Sequence, residues 1–458
     1  MIDESIFREY DIRGIVGSQI NELSIHSIAK ALAKKCNDEK INELVIGRDG
    51  RLSGKNILQM LSDELQSYGI DIINIGVVTS PLLYYAAKKL PSKSGIMITG
   101  SHNPKEYNGF KMVLHDMPIS GLEILNFISN KPLIKKKVIG KEIFNHSILD
   151  EYIEEVLSQS SKSSKKIKVV IDCGNGSAGE IAPKLMRSLG YDVIELFCEI
   201  DGNFPNHHPD PGKVENLYDL INAVKENSAD LGIAFDGDGD RIGIVSNEGE
   251  IIFPDQIMMI FAKDILKSNK GKKIVFDVKC TNLLSEIIDN AGGIPFISPT
   301  GHFHIKNALK KTGAPLAGEM SGHIFFNDTW YGFDDAHYAA FRLIKILQNS
   351  NETISSIFNK LPKAHSTPEL TIDIDEKIKF KIIQDFINQA KFESGTKTTI
   401  DGFRIDYEDG WGLIRASNTT PKLVMRFEAK TLSRLEEIKN NFINQLKLID
   451  ETIHIDIS

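Results

Sequence analysis

Three stretches of the sequence repeat one order of elements, and this repeat constrains the fold more than any other feature. Each stretch has an apolar segment typical of a buried strand, a polar or glycine-rich loop, a helical segment closed by glycine, and a second apolar segment. The copies begin at LVIGRDG (44–50), KVVIDCGNG (168–176) and KIVFDVKC (273–280). Their helices end at Gly69, Gly190 and Gly292, because glycine readily adopts the left-handed conformation that terminates a helix. The repeat predicts three related α/β domains.

Each copy also contains a later short strand that runs into a loop rich in polar side chains. These segments are GIMITGSHNP (95–104), LGIAFDGDGDR (231–241) and APLAGEMSGH (314–323). In open α/β sheets, ligands bind beyond the carboxyl ends of the strands. We therefore expect the three loops to converge on one cleft.

The chain after about Pro362 departs from the repeat and is typical of a smaller α+β module. It offers a strand ELTIDI, a helix FKIIQDFINQA, strands near TTIDGFRIDY and GLIRASN, and a closing helix LEEIKNNFINQL. Lysine-rich and serine-rich segments flank the helical DEYIEEVL, so the first domain boundary is expected between 131 and 166. The predicted fold class is α/β, with three related mixed-sheet α/β domains plus a smaller C-terminal α+β domain around a central cleft. The predicted domains are 1–147, 148–250, 251–361 and 362–458.

Composition and charge exclude several classes of protein. A net charge of -8 provides no basic field to hold nucleic acid. The four cysteines form no CxxC pair, which disfavours a disulfide framework or a zinc ribbon. The N-terminal segment has acids where a signal peptide has a basic region, and no apolar run reaches the roughly 18 residues of a spanning helix. We expect a cytoplasmic protein that binds neither nucleic acid nor membrane.

The loop DGDGDR places Asp236, Asp238 and Asp240 at alternate positions directly after an apolar strand. Oxygen ligands of this kind suit Mg²⁺ or Ca²⁺ rather than zinc. An EF-hand is excluded, because the sixth and twelfth positions hold Arg241 and Asn247 instead of glycine and glutamate. An acidic surface turn is the plainer alternative, but three acids beside a buried strand repel one another without a counter-ion.

The loop TGSHNP places Ser101 and His102 after an apolar strand, and Lys111 follows in NGFK. An isolated serine in such a loop is more often a helix cap or a turn former. Phosphoryl transfer through a serine needs an exposed hydroxyl, a cation that neutralises charge, and donors that hold the moving oxygens. The chain offers candidates for all three, so Ser101 is a candidate phosphate carrier.

Two further loops have the composition of ligand-binding loops, although an ordinary turn is the alternative for each. In GEMSGH, a carboxylate and a hydroxyl can bind sugar hydroxyls, and a histidine can move a proton. RASNTTPK collects donors without a carboxylate, which suits a phosphate dianion. The side chains concerned are Glu319, Ser321 and His323 in the first loop and Arg415, Ser417, Asn418 and Thr419 in the second. The chain has neither a Walker A loop nor a GxSxG elbow, which disfavours P-loop and serine-esterase chemistry.

The motifs together resemble a known superfamily. FREYDIRGIVG, GRDGRLSG, TGSHNPKEYNGFK, DGNFPNHHPDP, AFDGDGDR, GEMSGH and RASNTTPKLVMRFEA follow one another along nearly the whole chain. In this order they resemble the α-D-phosphohexomutase superfamily, and specifically its bacterial phosphomannomutase/phosphoglucomutase branch. The resemblance implies four domains around a central cleft and an enzyme that interconverts the 1-phosphate and 6-phosphate of mannose, glucose or both. It also implies a hexose 1,6-bisphosphate, which serves as intermediate and activator.

The resemblance assigns roles to individual residues. It implies that Ser101 is phosphorylated and that Mg²⁺ is held by the serine phosphate with Asp236, Asp238 and Asp240. Tyr10, Arg13 and Lys111 would line this region, Tyr10 as a substrate-binding residue and Arg13 and Lys111 as catalytic residues. Arg241, His102 or a lysine would assist proton transfer. The implied substrate-binding residues outside the serine loop are Lys279, His302, Glu319, Ser321, His323, Arg415, Ser417, Asn418 and Thr419.

Three alternatives remain open at this point. A phosphoglucosamine mutase of the same superfamily would differ at the residue after the sugar-loop glutamate, and Met320 favours the mannose/glucose branch. A non-catalytic sugar-phosphate sensor is disfavoured because the serine, the three aspartates and Lys111 are all present. A metal-dependent phosphatase would release inorganic phosphate. We expect small-molecule hexose phosphates as partners, and a monomer or weak dimer.

Overall fold

The computed structural model describes residues 2–128, 135–136, 138–160, 165–418, 420–451 and 453. These residues form two compact units, which are described separately. Unit 1 comprises Met1–Ile257 and Ser321–Phe358, and unit 2 comprises Met258–Met320 and Asn359–Ser458. None of the helices in the described part of the chain has the length and apolar character needed to cross a bilayer.

The first sheet of unit 1 has the strand order β1-β5-β4-β2-β3-β7, with β6 paired to β5. Its strands are β1 (Ile12–Ile15), β2 (Glu43–Arg48), β3 (Asp71–Val77), β4 (Gly95–Ile98), β5 (Tyr107–Leu114), β6 (Met117–Ile119) and β7 (Glu142–Phe144). The helices of this region are α1 (Glu22–Asp38), α2 (Gly54–Ser67), α3 (Ser80–Lys89) and α4 (Gly121–Ile128), after a short 3-10 helix at Glu4–Ile6. The sheet is mixed, because β1 and β5 run antiparallel to their neighbours.

Helix α1 illustrates how local sequence determines these elements. Asn21 and Ser24 form a capping box, in which each side chain accepts from the other residue's backbone N–H. Ile25, Ile28 and Leu32 then recur at helical spacing and are buried in the core of this domain. The cap fixes where the helix begins, and the apolar stripe fixes which side faces the sheet.

The second sheet of unit 1 has the order β12-β11-β10-β8-β9. Its strands are β8 (Lys168–Asp172), β9 (Asp192–Leu196), β10 (Leu231–Phe235), β11 (Ile242–Ser246) and β12 (Ile251–Ile252). Its helices are α5 (Ile148–Ser158), α6 (Ala178–Ser188) and α7 (Tyr218–Glu226), with a 3-10 helix at Val214–Leu217. Helix α5 contains the predicted helical segment DEYIEEVL.

The third repeat contributes the order β14-β13-β15 in unit 2. The strands of this part of the chain are β13 (Lys273–Asp277), β14 (Ile294–Ser298), β15 (Leu316–Gly318) and β16 (Ile324–Phe326). The helices are α8 (Pro254–Ile265), α9 (Asn282–Asn290), α10 (His302–Thr312), α11 (Ala336–Gln348) and α12 (Ile354–Asn359).

The C-terminal module in unit 2 has the order β17-β22-β21-β20-β19, with β18 also paired to β22. Its strands are β17 (His365–Ser366), β18 (Leu370–Asp373), β19 (Thr396–Thr398), β20 (Phe403–Tyr407), β21 (Gly410–Ala416) and β22 (Lys422–Ala429). Its helices are α13 (Lys379–Gln389) and α14 (Leu432–Ile449). The predicted strands and helices are present, and β17 and β22 are additional strands that the sequence pattern did not reveal.

The three repeats share one sheet core. In each, two parallel strands flank a helix: β2 with β3, β8 with β9, and β13 with β14. The later strand pairs in parallel with the other side of the first: β4 with β2, β10 with β8, and β15 with β13. Gly69, Gly190 and Gly292 have φ of 77°, 89° and 79°, the left-handed conformation expected where the intervening helices end. The three polar loops therefore leave corresponding ends of equivalent strands.

Candidate active site

Ser101 lies in the loop between β4 and β5 of unit 1. Its Oγ is 3.0 Å from Asp236 Oδ2 and 3.1 Å from His102 Nδ1. The side chain is only 1% exposed, so the expectation of an exposed hydroxyl is wrong for this conformation. The loop of the three aspartates covers the serine, since a Cβ on Gly237 would lie 2.4 Å from the Ser101 carbonyl oxygen.

Asp236, Asp238 and Asp240 follow β10, and all three side chains are fully buried. One carboxylate oxygen from each lies within 4.8 Å of the others. Asp236 Oδ1 accepts from the backbone N–H groups of Asp240 and Arg241 at 3.0 and 3.1 Å, which curls the loop around that carboxylate. Asp238 Oδ1 has no hydrogen-bond partner among the described residues. Buried carboxylates with an unsatisfied oxygen are suited to a hard divalent cation, so the residues fit magnesium.

Lys111 on β5 supplies positive charge to this cluster. Its Nζ donates to Asp238 Oδ2 at 2.6 Å and to Asp240 Oδ2 at 2.5 Å. Burial acts to lower the pKa of Lys111, but the two carboxylates outweigh it and raise that pKa well above its ordinary value. Lys111 therefore remains an ammonium ion at neutral pH.

The three carboxyl groups do not share one electrostatic environment. Burial, together with the neighbouring Asp240 and Asp238, raises the pKa of Asp236 well above 3.8. Burial acts in the same direction on Asp240, but Lys111 and His323 hold its pKa well below 3.8. The negative charge of the cluster is thus concentrated near Lys111.

The first residue of α3 also supports the aspartate loop, and the sequence analysis missed it. Ser80 donates its backbone N–H to the Asp238 carbonyl oxygen at 2.8 Å and its Oγ–H to Asp238 Oδ2 at 2.6 Å. The positive end of the helix dipole at this N-terminus favours a carboxylate there. The signal was Pro81 after Ser80, which marks a helix start, but a helix start alone does not reveal what it faces.

Arg13 and Tyr10 come from β1 and the segment before it. Arg13 Nη1 donates to Asn103 Oδ1 in the serine loop at 2.5 Å, and the same guanidinium pairs with Asp11. Both Arg13 and Tyr10 are buried. The structure thus connects Arg13 with the loop of Ser101.

Arg241, Ser321 and His323 form one chain of contacts in unit 1. Arg241 Nε lies 3.4 Å from His323 Nε2, and His323 Nδ1 lies 2.9 Å from Ser321 Oγ. His323 Nε2 is also 3.3 Å from Asp240 Oδ1. Two residues predicted to bind sugar therefore lie beside the aspartate loop.

His102 has the electrostatics of a neutral imidazole. Burial, followed by the nearby Arg241, Arg13 and Lys111, lowers its pKa well below 6.5. Its Nδ1 can therefore accept or return a proton at the adjacent Ser101 Oγ without first losing one.

Three predicted substrate-binding residues lie in unit 2. Lys279 and Glu319 lie on loops that follow strands β13 and β15, and His302 is the first residue of α10. Lys279 Nζ pairs with Glu369 Oε1 at 2.5 Å, and this carboxylate outweighs the opposing effect of burial to raise the pKa of Lys279. Glu319 Oε1 accepts from the backbone N–H of Gly301, just before His302. The sequence analysis did not identify Glu369 as the partner of Lys279.

The donor loop of the C-terminal module connects β21 and β22. Arg415 Nε pairs with Asp401 Oδ2 at 3.0 Å, a carboxylate that the sequence analysis missed. Ser417 Oγ accepts from Thr420 N–H at 3.1 Å, which closes the turn. Asn418 lies in this turn, and Thr419 lies outside the described residues.

Comparison with known families covers the chain in four consecutive matches. They are described as the alpha/beta/alpha domains I, II and III and the C-terminal domain of phosphoglucomutase/phosphomannomutase. The matched residues are 4–127, 150–249, 253–365 and 372–445.

Several relatives match the chain over nearly its whole length. A phosphomannomutase/phosphoglucomutase of Pseudomonas putida is 46% identical over 454 residues, covering 99% of this chain and 98% of that protein. A phosphoglucomutase of Neisseria gonorrhoeae is 46% identical, covering 96% of both chains. The crystal structure of a phosphoglucomutase/phosphomannomutase family protein from Burkholderia thailandensis has a TM-score of 0.92 and 42% identity, covering 99% of both chains.

The four matched domains and the full-length likeness define an enzyme of the mutase class with an α/β fold. More specifically, the chain belongs to the phosphoglucomutase/phosphomannomutase family. The predicted resemblance, fold class and mutase activity are thereby confirmed. The site residues and the domain boundaries stay predictions.

Proposed function

We propose that the enzyme interconverts the 1-phosphate and 6-phosphate of mannose, glucose or both, with Ser101 as the phosphate carrier. The observation that carries the proposal is the contact of Ser101 Oγ with Asp236 within a buried cluster of three aspartates and Lys111. This combination supplies a nucleophilic hydroxyl, a cation site and a fixed positive charge. Phosphoryl transfer requires these three elements.

In the proposed reaction, phosphorylated Ser101 gives its phosphoryl group to the free hydroxyl of a hexose monophosphate. The bond from Ser101 Oγ to phosphorus breaks as the bond from the sugar oxygen to phosphorus forms, and the hydroxyl proton passes to a base. The product of this half is a hexose 1,6-bisphosphate. After the bisphosphate reorients, the other phosphate returns to Ser101, so the phosphorylated serine is restored and no nucleotide is consumed.

Several side chains have the chemistry that these steps need. Asp236, Asp238, Asp240 and the phosphate on Ser101 would hold Mg²⁺, which when bound offsets negative charge on the transferring group. Lys111 supplies further positive charge beside the same carboxylates. The lowered pKa of His102 supports proton exchange at the seryl oxygen.

The residues of unit 2 are proposed to bind the substrate. Glu319 would accept hydrogen bonds from sugar hydroxyls, and Lys279 would bind a phosphate. The donors at Arg415, Ser417, Asn418 and Thr419 would hold the unreacted phosphate, whichever carbon bears it. Such a loop supports two substrate orientations, because it recognises a phosphate and not a particular hydroxyl.

The test is to incubate the purified enzyme with Mg²⁺, a trace of hexose 1,6-bisphosphate and either mannose 1-phosphate or glucose 1-phosphate. Phosphorus NMR should show the 6-phosphate appearing while total ester phosphate stays constant. The S101A variant should lose nearly all turnover while keeping its fold. Near-normal turnover by S101A would exclude the carrier role, and release of inorganic phosphate would indicate a phosphatase instead.

A further inference from the structure

Arg51 is a fully buried arginine of the motif GRDGRLSG, and none of the roles above uses it. All five of its guanidinium N–H groups have an acceptor within the serine loop or in Asp49. The acceptors are Asp49 Oδ2 at 3.2 Å and the carbonyl oxygens of Ser101, Asn103, Pro104 and Tyr107 at 2.7, 2.6, 2.6 and 3.0 Å. One side chain thus satisfies four carbonyl groups of the loop that carries the candidate nucleophile.

Asp49 holds this guanidinium in place. Its Oδ1 accepts from the Arg51 backbone N–H at 3.0 Å, and its Oδ2 accepts from Thr99 Oγ1 at 2.7 Å and from the Gly100 N–H at 3.1 Å. Thr99 Oγ1 in turn accepts from the Ser101 N–H at 2.7 Å. The hydrogen bonds therefore fix the peptide groups on both sides of Ser101.

The loop needs such support because Ser101 has φ of 48°. The left-handed region is unfavourable for a residue with a Cβ, because the Cβ comes too close to the following carbonyl oxygen. The carbonyl oxygen of this strained residue accepts a hydrogen bond from Arg51 Nη2. Because the Ser101 N–H is also held by Thr99 Oγ1, the backbone at Ser101 cannot leave this conformation without breaking one of these hydrogen bonds.

There is little room for the loop to shift around the guanidinium. A Cβ on Gly100 would lie 2.5 Å from Arg51 Cζ, so the backbone of the loop packs directly against it. The Arg51 guanidinium also lies 5.2 Å from the centre of the Phe204 ring.

We propose that Arg51 is a positioning residue for phosphoryl transfer, which holds Ser101 in the strained conformation that directs Oγ at the aspartate cluster. The inference rests on the proposed carrier role of Ser101. Lysine could not replace Arg51, because an ammonium group has three donors and lacks the planar fork that reaches four carbonyl oxygens and a carboxylate.

The test compares R51K with R342K as a matched control. Arg342 is also a buried arginine of unit 1, and its Nη1 donates to both carboxylate oxygens of Asp328 at 2.8 and 2.9 Å. The dephosphorylated enzymes are mixed with ³²P-labelled glucose 1,6-bisphosphate and Mg²⁺, and label on the peptide containing Ser101 is followed by rapid quench. Steady-state kcat and KM are measured for glucose 1-phosphate.

We expect R51K to lower both the labelling rate and kcat by about 10- to 100-fold, since a displacement near 1 Å can have such an effect on a reacting group. KM should stay within about threefold of wild type, because the hydrogen bonds that the Arg51 side chain donates go to Asp49 and to the serine loop. R342K should label at the wild-type rate. A general loss of folding would alter both parameters and the circular dichroism spectrum.

The outcomes separate the two proposals. If wild-type Ser101 takes up no label, the carrier role fails and the inference with it. If wild type is labelled and folded R51K is labelled at the same rate, the inference alone is wrong. Should R51K not fold, D49N takes its place, because asparagine cannot accept all the hydrogen bonds that orient Arg51. An unchanged labelling rate in D49N would refute the inference.

Discussion

Replacing Lys111 with methionine tests how much the positive charge of Lys111 stabilises the aspartate cluster. The Lys111 side chain is 4% exposed, and its ammonium contacts Asp238 and Asp240 at 2.6 and 2.5 Å. Methionine keeps much of the volume and removes the charge, which leaves two buried carboxylates without their cation. Removing one partner of a buried ion pair costs about 3–5 kcal/mol.

The loss of stability in K111M can be measured by urea unfolding in the presence of EDTA, with tryptophan fluorescence as the signal. With an m-value of about 3 kcal/mol/M, a loss of this size lowers the urea midpoint of unit 1 by roughly 1–2 M. Saturating Mg²⁺ should recover more stability in K111M than in wild type, since the ion replaces the missing positive charge without competing with an ammonium group. Binding at about 100 times the dissociation constant stabilises a folded state by about 2.7 kcal/mol.

The control is K88M, which removes a more exposed pair of the same unit. Lys88 contacts Asp116 at 2.6 Å, with the two side chains 19% and 29% exposed, and such pairs contribute about 0–1 kcal/mol. If K111M and K88M unfold at the same urea concentration in EDTA, the reasoning about buried charge is wrong. An equal Mg²⁺ effect on wild type and K111M would show that the ion does not bind at this cluster.

Three further results are expected. Burial raises the pKa of Asp335 from 3.8 to about 6, so between these pH values the folded state keeps a proton that the unfolded state releases. The free energy of unfolding should therefore fall as pH rises from about 4 to about 6, and urea unfolding of D335N should lack this pH dependence. Burial raises the pKa of the Cys36 thiol to about 12 and that of the Cys173 thiol well above 9.0. Native protein should therefore react with a disulfide thiol reagent at pH 8 far more slowly than unfolded protein. Rapid labelling of the native state would contradict this burial. R415A should raise KM for hexose 1-phosphates about tenfold or more with a smaller effect on kcat, since a charge-assisted contact is worth about 1.5–3 kcal/mol; an unchanged KM in steady-state assays would exclude the phosphate role.

Local signals explain what the sequence could predict. The strand and helix segments of each repeat are short-range patterns, and the glycines that end the helices need no distant partner to be recognised. The equivalent positions of β4, β10 and β15 follow from the repetition itself. For the same reason, the polar loops after these strands could be identified before their surroundings were known.

Strand β22 shows where local patterns fail. Seven of its eight residues are buried, including the charged Arg426 and Glu428. Glu428 is stabilised there by Trp411 Nε1 and Thr281 Oγ1, which donate to its Oε1 at 2.9 and 2.7 Å. These partners are not adjacent to Glu428 in the sequence, so they cannot be inferred from the local pattern. Without them, two charged residues in a short segment are typical of an exposed stretch, and the buried strand is not predicted.

The aspartate cluster combines both situations. Alternation in DGDGDR is local, so the sequence identifies the acids, and mutual repulsion argues that something must balance them. Lys111, however, was expected only as a catalytic residue of the serine region, whereas the structure pairs its Nζ with Asp238 and Asp240. Since Ser80 also donates to Asp238, the protein itself neutralises part of the cluster. A divalent ion must therefore displace or share these internal partners, so its apparent affinity depends on residues far from the aspartates in the sequence.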